Sequence, residues 1–188
     1  MLKKTGIFLI MILSILLVGC NKEEADQTNN DNKNSGSDKV ENKVIDIYNN
    51  KKEKVGTAEL SEEAKGVVVE LEAKDLPAGS HGFHFHEKGV CDAPTFESAG
   101  GHFNPSDAKH GTAHEDGPHA GDLPNLDVND DGTVKVTVNT ENVSLSDNDD
   151  ASLIDSDGTA LIIHEKPDDG KTQPTGDAGD RIACGVIK

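Results

Sequence analysis

From Thr133 to Asn139 the chain alternates strictly, with Val134, Val136 and Val138 set between Thr133, Lys135, Thr137 and Asn139. Successive side chains of a strand point to opposite faces, so this stretch buries one apolar face only if it is extended. Ile45 and Ile47 alternate with Asp46 and Tyr48 less cleanly. Val67–Leu71 and Ala160–Ile163 are short β-branched runs, and Ile182–Ile187 closes the chain. Asn49-Asn50, Asp75–Gly79 and Asp130-Asp131-Gly132 supply turns between them. No stretch carries a convincing apolar helix period. Many short strands with Gly, Asp and Asn turns predict an all-β fold, an antiparallel sandwich or barrel.

Composition limits how such a fold is held together and what it binds. Of 188 residues 34% are hydrophobic and 3% aromatic, and there is no Trp. The core is therefore thin and built from Val, Ile and Leu. The net charge is −17, with 35 Asp+Glu against 18 Lys+Arg. A surface so acidic repels phosphate backbones, which excludes nucleic acid as a partner.

The N-terminal region reads as export apparatus rather than fold. Lys3 and Lys4 precede the apolar run Ile7–Val18, then Gly19 and Cys20. This is the pattern of a secretory signal, and the run is shorter than the about 20 residues a spanning helix needs. Leu17-Val18-Gly19-Cys20 resembles the bacterial lipobox, in which the cysteine is lipidated and becomes the mature N-terminus. The expected organisation is a signal peptide over 1–19, then a lipidated Cys20 with a polar, disordered tether over 20–42. A folded domain follows over 43–188. Removal of Lys3 and Lys4 takes the net charge from −17 to −19. The chain is then exported and anchored to the outer face of the cell membrane.

Two long stretches, 88–122 and 165–180, break the strand rhythm, and loops of that length in a small domain are usually functional. The histidines gather on and around them. In Gly82-Phe83-His84-Phe85-His86 the strand period places His84 and His86 on one face and both phenylalanines on the other. Such a pair is either half of a metal site or two solvent-facing histidines. The first long loop adds His102, His110, His119 and Asp122. Three imidazoles and a carboxylate make a complete tetrahedral set for a structural zinc. With His164 after the run Ala160–Ile163, six histidines and one aspartate exceed what one tetrahedral ion uses. Two ions or a shared ligand follow.

His84-Phe85-His86, Gly101-His102-Phe103-Asn104-Pro105, Lys109-His110-Gly111, His119-x-Gly121-Asp122, His164-Glu165-Lys166 and Gly179–Gly185 together resemble copper/zinc superoxide dismutase. The motifs stand in family order across essentially the whole folded domain. The resemblance implies a Greek-key antiparallel β-barrel with long metal-binding and electrostatic loops. It implies copper on His84, His86, His102 and His164, and zinc on His102, His110, His119 and Asp122, with His102 bridging. Asp168 matches a carboxylate that joins His84 to His110. Arg181 matches the guanidinium that orients the substrate anion, a plain surface arginine beside Asp180 being the alternative. The implied reaction converts superoxide to dioxygen and hydrogen peroxide by Cu(II)/Cu(I) cycling. On reduction the His102 bridge is expected to leave copper and take up a proton.

Within the resemblance Cys91 and Cys184 match a disulfide, a reduced pair being the alternative, and lipidation accounts for the odd Cys20. His81 and His114 have no ligand counterpart. The first is expected in a structural hydrogen bond and the second in solvent. Net charge does not set the field at a cleft, which is screened beyond roughly 8–10 Å. Arg181, Lys166 and Lys171 are the cationic groups available to attract an anion, against Asp168, Asp169, Asp177 and Asp180. Family likeness leaves monomer and homodimer both open. The competing reading is a non-catalytic zinc- or copper-binding lipoprotein of the same fold.

Overall fold

Among the described residues, strand pairing begins at Lys43, with the alternating residues around Ile45 and Ile47. The computed structural model describes residues 41–112 and 114–188. The expected signal peptide, Cys20 and nearly all of the tether lie outside them. Nine strands follow in chain order: β1 Lys43–Asn49, β2 Lys54–Glu63, β3 Gly66–Ala73, β4 Gly79–His81 and β5 Phe83–His86. After the first long loop come β6 Leu126–Val128, β7 Val134–Thr140, β8 Thr159–His164 and β9 Arg181–Ile187. The one helical element among the described residues is the 3-10 turn Glu97–Ala99. No helix there is long and apolar enough to cross a membrane.

Seven strands form one antiparallel sheet in the order β5-β8-β9-β1-β2-β3-β7, and β4 pairs with β6 in a small ribbon. That ribbon joins the ends of the large sheet, because β6 packs against β7 and β4 runs through Gly82 into β5. The sheet thus curls into a barrel. The crossings that set β8 beside β5 and β9 beside β1 give it the Greek-key order.

Burial follows the alternation. On β7 Val134 and Val138 are buried and Val136 partly so, with the residues between them turned to solvent. Strands β2 and β6 carry no clear signal in the sequence. In β2 the residue Val55 is bulged, since Ile47 pairs with Gly56 and Tyr48 with Lys54. The bulge shifts the phase, so Val55, Ala58 and Leu60 all face the core although they do not share one parity. Strand β6 is only three residues long, with Leu126 and Val128 buried.

Strand β8 is buried along its whole length. Leu161 and Ile163 face the main core with Phe83 and Phe85. Ala160 and Ile162 face a second cluster with Phe96, Ala99 and Cys184, under the start of the first long loop. The long loop is therefore packed down by its own small core.

Candidate metal centre

Strand β5 has β8 on one edge, while two segments of the first long loop lie on the other. Phe85 N–H donates to Gly121 O at 2.9 Å, Gly121 N–H to Phe103 O at 2.8 Å, and Phe103 N–H to Phe85 O at 2.8 Å. A side chain at position 121 would collide with the carbonyl of Phe85, so a glycine is needed for this approach. The closed ring of bonds sets His84 opposite Asp122 and His86 opposite His102. Ligands far apart in sequence are brought together by main-chain pairing.

Four imidazoles, from His84, His86, His102 and His164, each present a ring nitrogen within 4.8 Å of the others. The opposite nitrogen is occupied in each case. His84 Nε2 donates to Asp168 Oδ2 at 2.7 Å and His86 Nδ1 to Gly100 O at 3.0 Å. His102 Nδ1 faces Asp122 Oδ1 at 2.8 Å, and His164 Nδ1 faces Gly179 O at 3.4 Å. Such outer contacts fix the ring orientation and the tautomer of a metal ligand.

The second group shares His102 and adds His110, His119 and Asp122, again within 4.8 Å. The Asp122 carboxylate lies among the rings, 3.1 Å from His110 Nδ1 and 3.2 Å from His119 Nδ1. It also accepts the main-chain N–H groups of Gly111 and His119, at 3.0 and 3.1 Å. Asp168 joins the groups, with Oδ2 on His84 and Oδ1 accepting from His110 Nε2 at 3.0 Å.

The donor sets fit copper and zinc on an observation independent of resemblance. His84 Nδ1 and His102 Nε2 are fully buried and have no hydrogen-bond partner, and His110 Nδ1, equally buried, lies 3.1 Å from the Asp122 carboxylate without forming a regular hydrogen bond. Buried polar atoms are otherwise satisfied as a rule, and three such atoms converging here mark where cations bind. Four imidazoles suit copper, and three imidazoles with a carboxylate suit zinc.

Electrostatics separates the halves. Burial pushes His84 down to about 4 and His164 to about 3, and holds His86 well below the ordinary range. His110 is different: burial alone would lower it, but the Asp122 and Asp168 carboxylates beside its ring raise it to about 9. Burial opposes ionisation of both carboxylates, yet His102 hydrogen-bonded to Asp122, His84 hydrogen-bonded to Asp168, and the His110 ring against both keep them far below the usual range. A ligand nitrogen must be free of its proton to bind a metal. Zinc uptake near pH 7.5 should then release about one proton, from His110, and filling of the copper group about one more, because His102 gives up its ring N–H to serve both groups while His84, His86 and His164 are already neutral. Zinc affinity should rise with pH up to about 9, the value at which His110 is half deprotonated. Titration calorimetry in two buffers of different ionisation enthalpy measures both proton counts.

Arg181, at the start of β9, is half-buried. Its Nη1 donates to Phe96 O at 2.7 Å and Nη2 to Gly100 O at 2.6 Å. Gly100 O also accepts from His86, so one carbonyl ties the guanidinium to the copper-type group. The guanidinium lines a cleft of about 400 Å³ with Glu97, Glu165 and Asp180. Burial lowers its pKa, and Glu97 and Glu87 work the other way. Cys91 and Cys184 form a disulfide with Cα atoms 5.8 Å apart, pinning the same loop to β9.

Both bystander histidines are as expected. His81 is buried, its ring bonded to the carbonyls of His164 and Pro77, each at 2.8 Å. His114 is exposed. Sequence reasoning missed Gly100, whose carbonyl is the functional part, and the amides of Asn125 and Gln173.

Two adjacent histidine-rich metal groups with a shared imidazole, set on the edge of a curled antiparallel barrel, define a dinuclear metalloprotein with an arginine tied to one group through the Gly100 carbonyl. The family model for copper/zinc superoxide dismutase matches residues 54–187. Superoxide dismutase (Cu-Zn) 1 of Aquifex aeolicus is 51% identical over 144 residues, covering 76% of this chain and 85% of that protein. The solved structure of a SOD-like protein from Bacillus subtilis has a TM-score of 0.75 at 43% identity, over 77% of this chain and 97% of that one. The Cu/Zn superoxide dismutase of Brucella abortus gives a TM-score of 0.66 at 30% identity, over 79% and 100%. The chain belongs to the copper/zinc superoxide dismutase family. It is an enzyme that uses copper and zinc to convert superoxide to dioxygen and hydrogen peroxide.

Proposed function

We propose that copper is held by His84, His86, His102 and His164 and zinc by His102, His110, His119 and Asp122, in a domain spanning 43–188 that works outside the cytoplasm. The observation that carries the ligand assignment is the pair of four-donor groups sharing His102, with unpartnered buried nitrogens turned toward both. All four copper positions and Arg181 are present, which favours catalysis over a non-catalytic metal-binding lipoprotein.

When bound, copper supplies a one-electron couple and zinc a fixed positive charge. The chain's own groups do the rest. Arg181, anchored on Phe96 O and Gly100 O, offers its remaining N–H groups to the incoming anion and orients it. Two superoxide anions and two protons give one dioxygen and one hydrogen peroxide, so protons must be delivered. His102 Nε2, buried between the groups, is the atom placed to hold and pass one. Asp168 fixes the tautomers of His84 and His110 together, keeping their Nδ1 atoms available as ligands.

Protein loaded with both metals should contain one copper and one zinc per chain and accelerate superoxide decay in stopped flow. Zinc alone, or copper without faster decay, would reject this assignment.

Export and anchoring rest on Lys3, Lys4, the apolar run Ile7–Val18 and the motif ending in Cys20. The disulfide agrees with an oxidising compartment. Mass spectrometry of protein from membranes should find a lipidated Cys20 as the mature N-terminus. A free terminus elsewhere, in soluble protein, would reject the anchor.

A further inference from the structure

We propose that Asn125 and Gln173 are positioning residues that lock the zinc-ligand loop and the loop after β8 into one unit, so that order at the zinc group reaches His84 through Asp168. The inference rests on the metal assignment proposed above.

Two side-chain amides carry it. Asn125 follows Asp122 by three residues and grips the main chain of Asp168 at two points. Its Nδ2 donates to Asp168 O at 2.9 Å, and its Oδ1 accepts from Asp168 N–H at 2.9 Å. Gln173 does the converse from the other loop. Its Oε1 accepts from His110 N–H and its Nε2 donates to His110 O, both at 2.9 Å. An amide that donates and accepts at the same residue fixes orientation as well as distance.

The clamps run in opposite directions across one junction. Between them lies the carboxylate of Asp168, bonded to His84 and to His110. The junction is tight: Gly176 has φ of 69°, and a Cβ there would overlap the Asp168 carboxylate and lie 2.7 Å from His110 Nε2. Asn104 offers a contrast. Its amide makes the same two-point contact with Ala108, four residues away, and fastens a single loop. Asn125 and Gln173 reach across 43 and 63 residues, from one loop to the other.

The test uses the full chain with copper and zinc, carrying Asn125→Ala, Gln173→Ala or both. Zinc affinity is read by competition with a chromophoric chelator, and the copper environment by Cu(II) paramagnetic resonance. Each single variant should lose about tenfold in zinc affinity, the scale of an outer partner of a ligand. The double variant should lose much less than the product, because both residues act on one junction. The copper spectrum should change in each, although neither replacement touches a copper-group histidine, and it should be unchanged in Asn104→Ala. Unaltered zinc affinity and copper spectrum, with a lower melting temperature alone, would overturn the proposal. If the alanine variants do not fold, Asn125→Asp and Gln173→Glu keep size and one hydrogen bond of each clamp and are read the same way. Wild-type protein that takes up no zinc would overturn the metal assignment and the proposal together.

Discussion

His164→Ala is expected to remove superoxide dismutation while leaving the zinc half intact. His164 contributes one of four imidazoles to the copper-type group and none of the donors in the zinc-type group. Its ring points inward from the end of a strand buried along its whole length. The replacement opens a position among the copper donors, and the barrel keeps its pairing because His164 N–H and O act through the main chain, with Gly82 and His81. Loss of an outer partner costs roughly 10–100-fold in affinity or activity, and loss of a direct ligand should exceed that. Stopped-flow decay of superoxide measures the activity, and metal analysis after chelator challenge measures the binding. Zinc lost in parallel with copper would mean that the two groups are not separable as described.

The second large effect concerns stability. Replacing Cys91 and Cys184 together with alanine should cost about 4–5 kcal/mol, the chain-entropy value for a closed loop of 93 residues. At about 2–4 °C per kcal/mol for a domain of this size, the unfolding midpoint should fall by about 8–20 °C. Calorimetry of matched metal-loaded samples checks it. The loss should reach catalysis as well. Phe96 and Gly100, whose carbonyls hold Arg181, lie on the loop that Cys91 fastens to β9. Once unfastened, Arg181 loses its fixed aim, and kcat/KM should fall further than copper content does.

Much of this molecule was legible before any coordinates, for identifiable reasons. A strict alternation such as Val134 to Val138 has one physical interpretation, and the structure follows it. The residues of the two clusters were legible because imidazoles are rare enough to stand out in a polar chain and keep a recognisable order. Strand β2 was hidden because the bulge at Val55 shifts the phase of its buried residues, so no single period runs through it. Strand β6 was hidden because three residues contain too little pattern. The clamps of Asn125 and Gln173 could not be read locally at all. An amide in a loop looks the same whether it meets water or a main chain 63 residues away.

The way the first long loop lies on β5 has a consequence for the chain before it holds metal. An uncovered strand edge offers a row of free N–H and C=O groups that will pair with any extended chain nearby. On β5 that row is covered by Phe103 and Gly121, neighbours of His102 and Asp122. The same short segments therefore bring the histidine groups together and guard the sheet against sticking to its own kind. A newly made chain whose loop has not yet settled carries a bare edge. Its solubility in that interval depends on strong negative charge keeping copies apart.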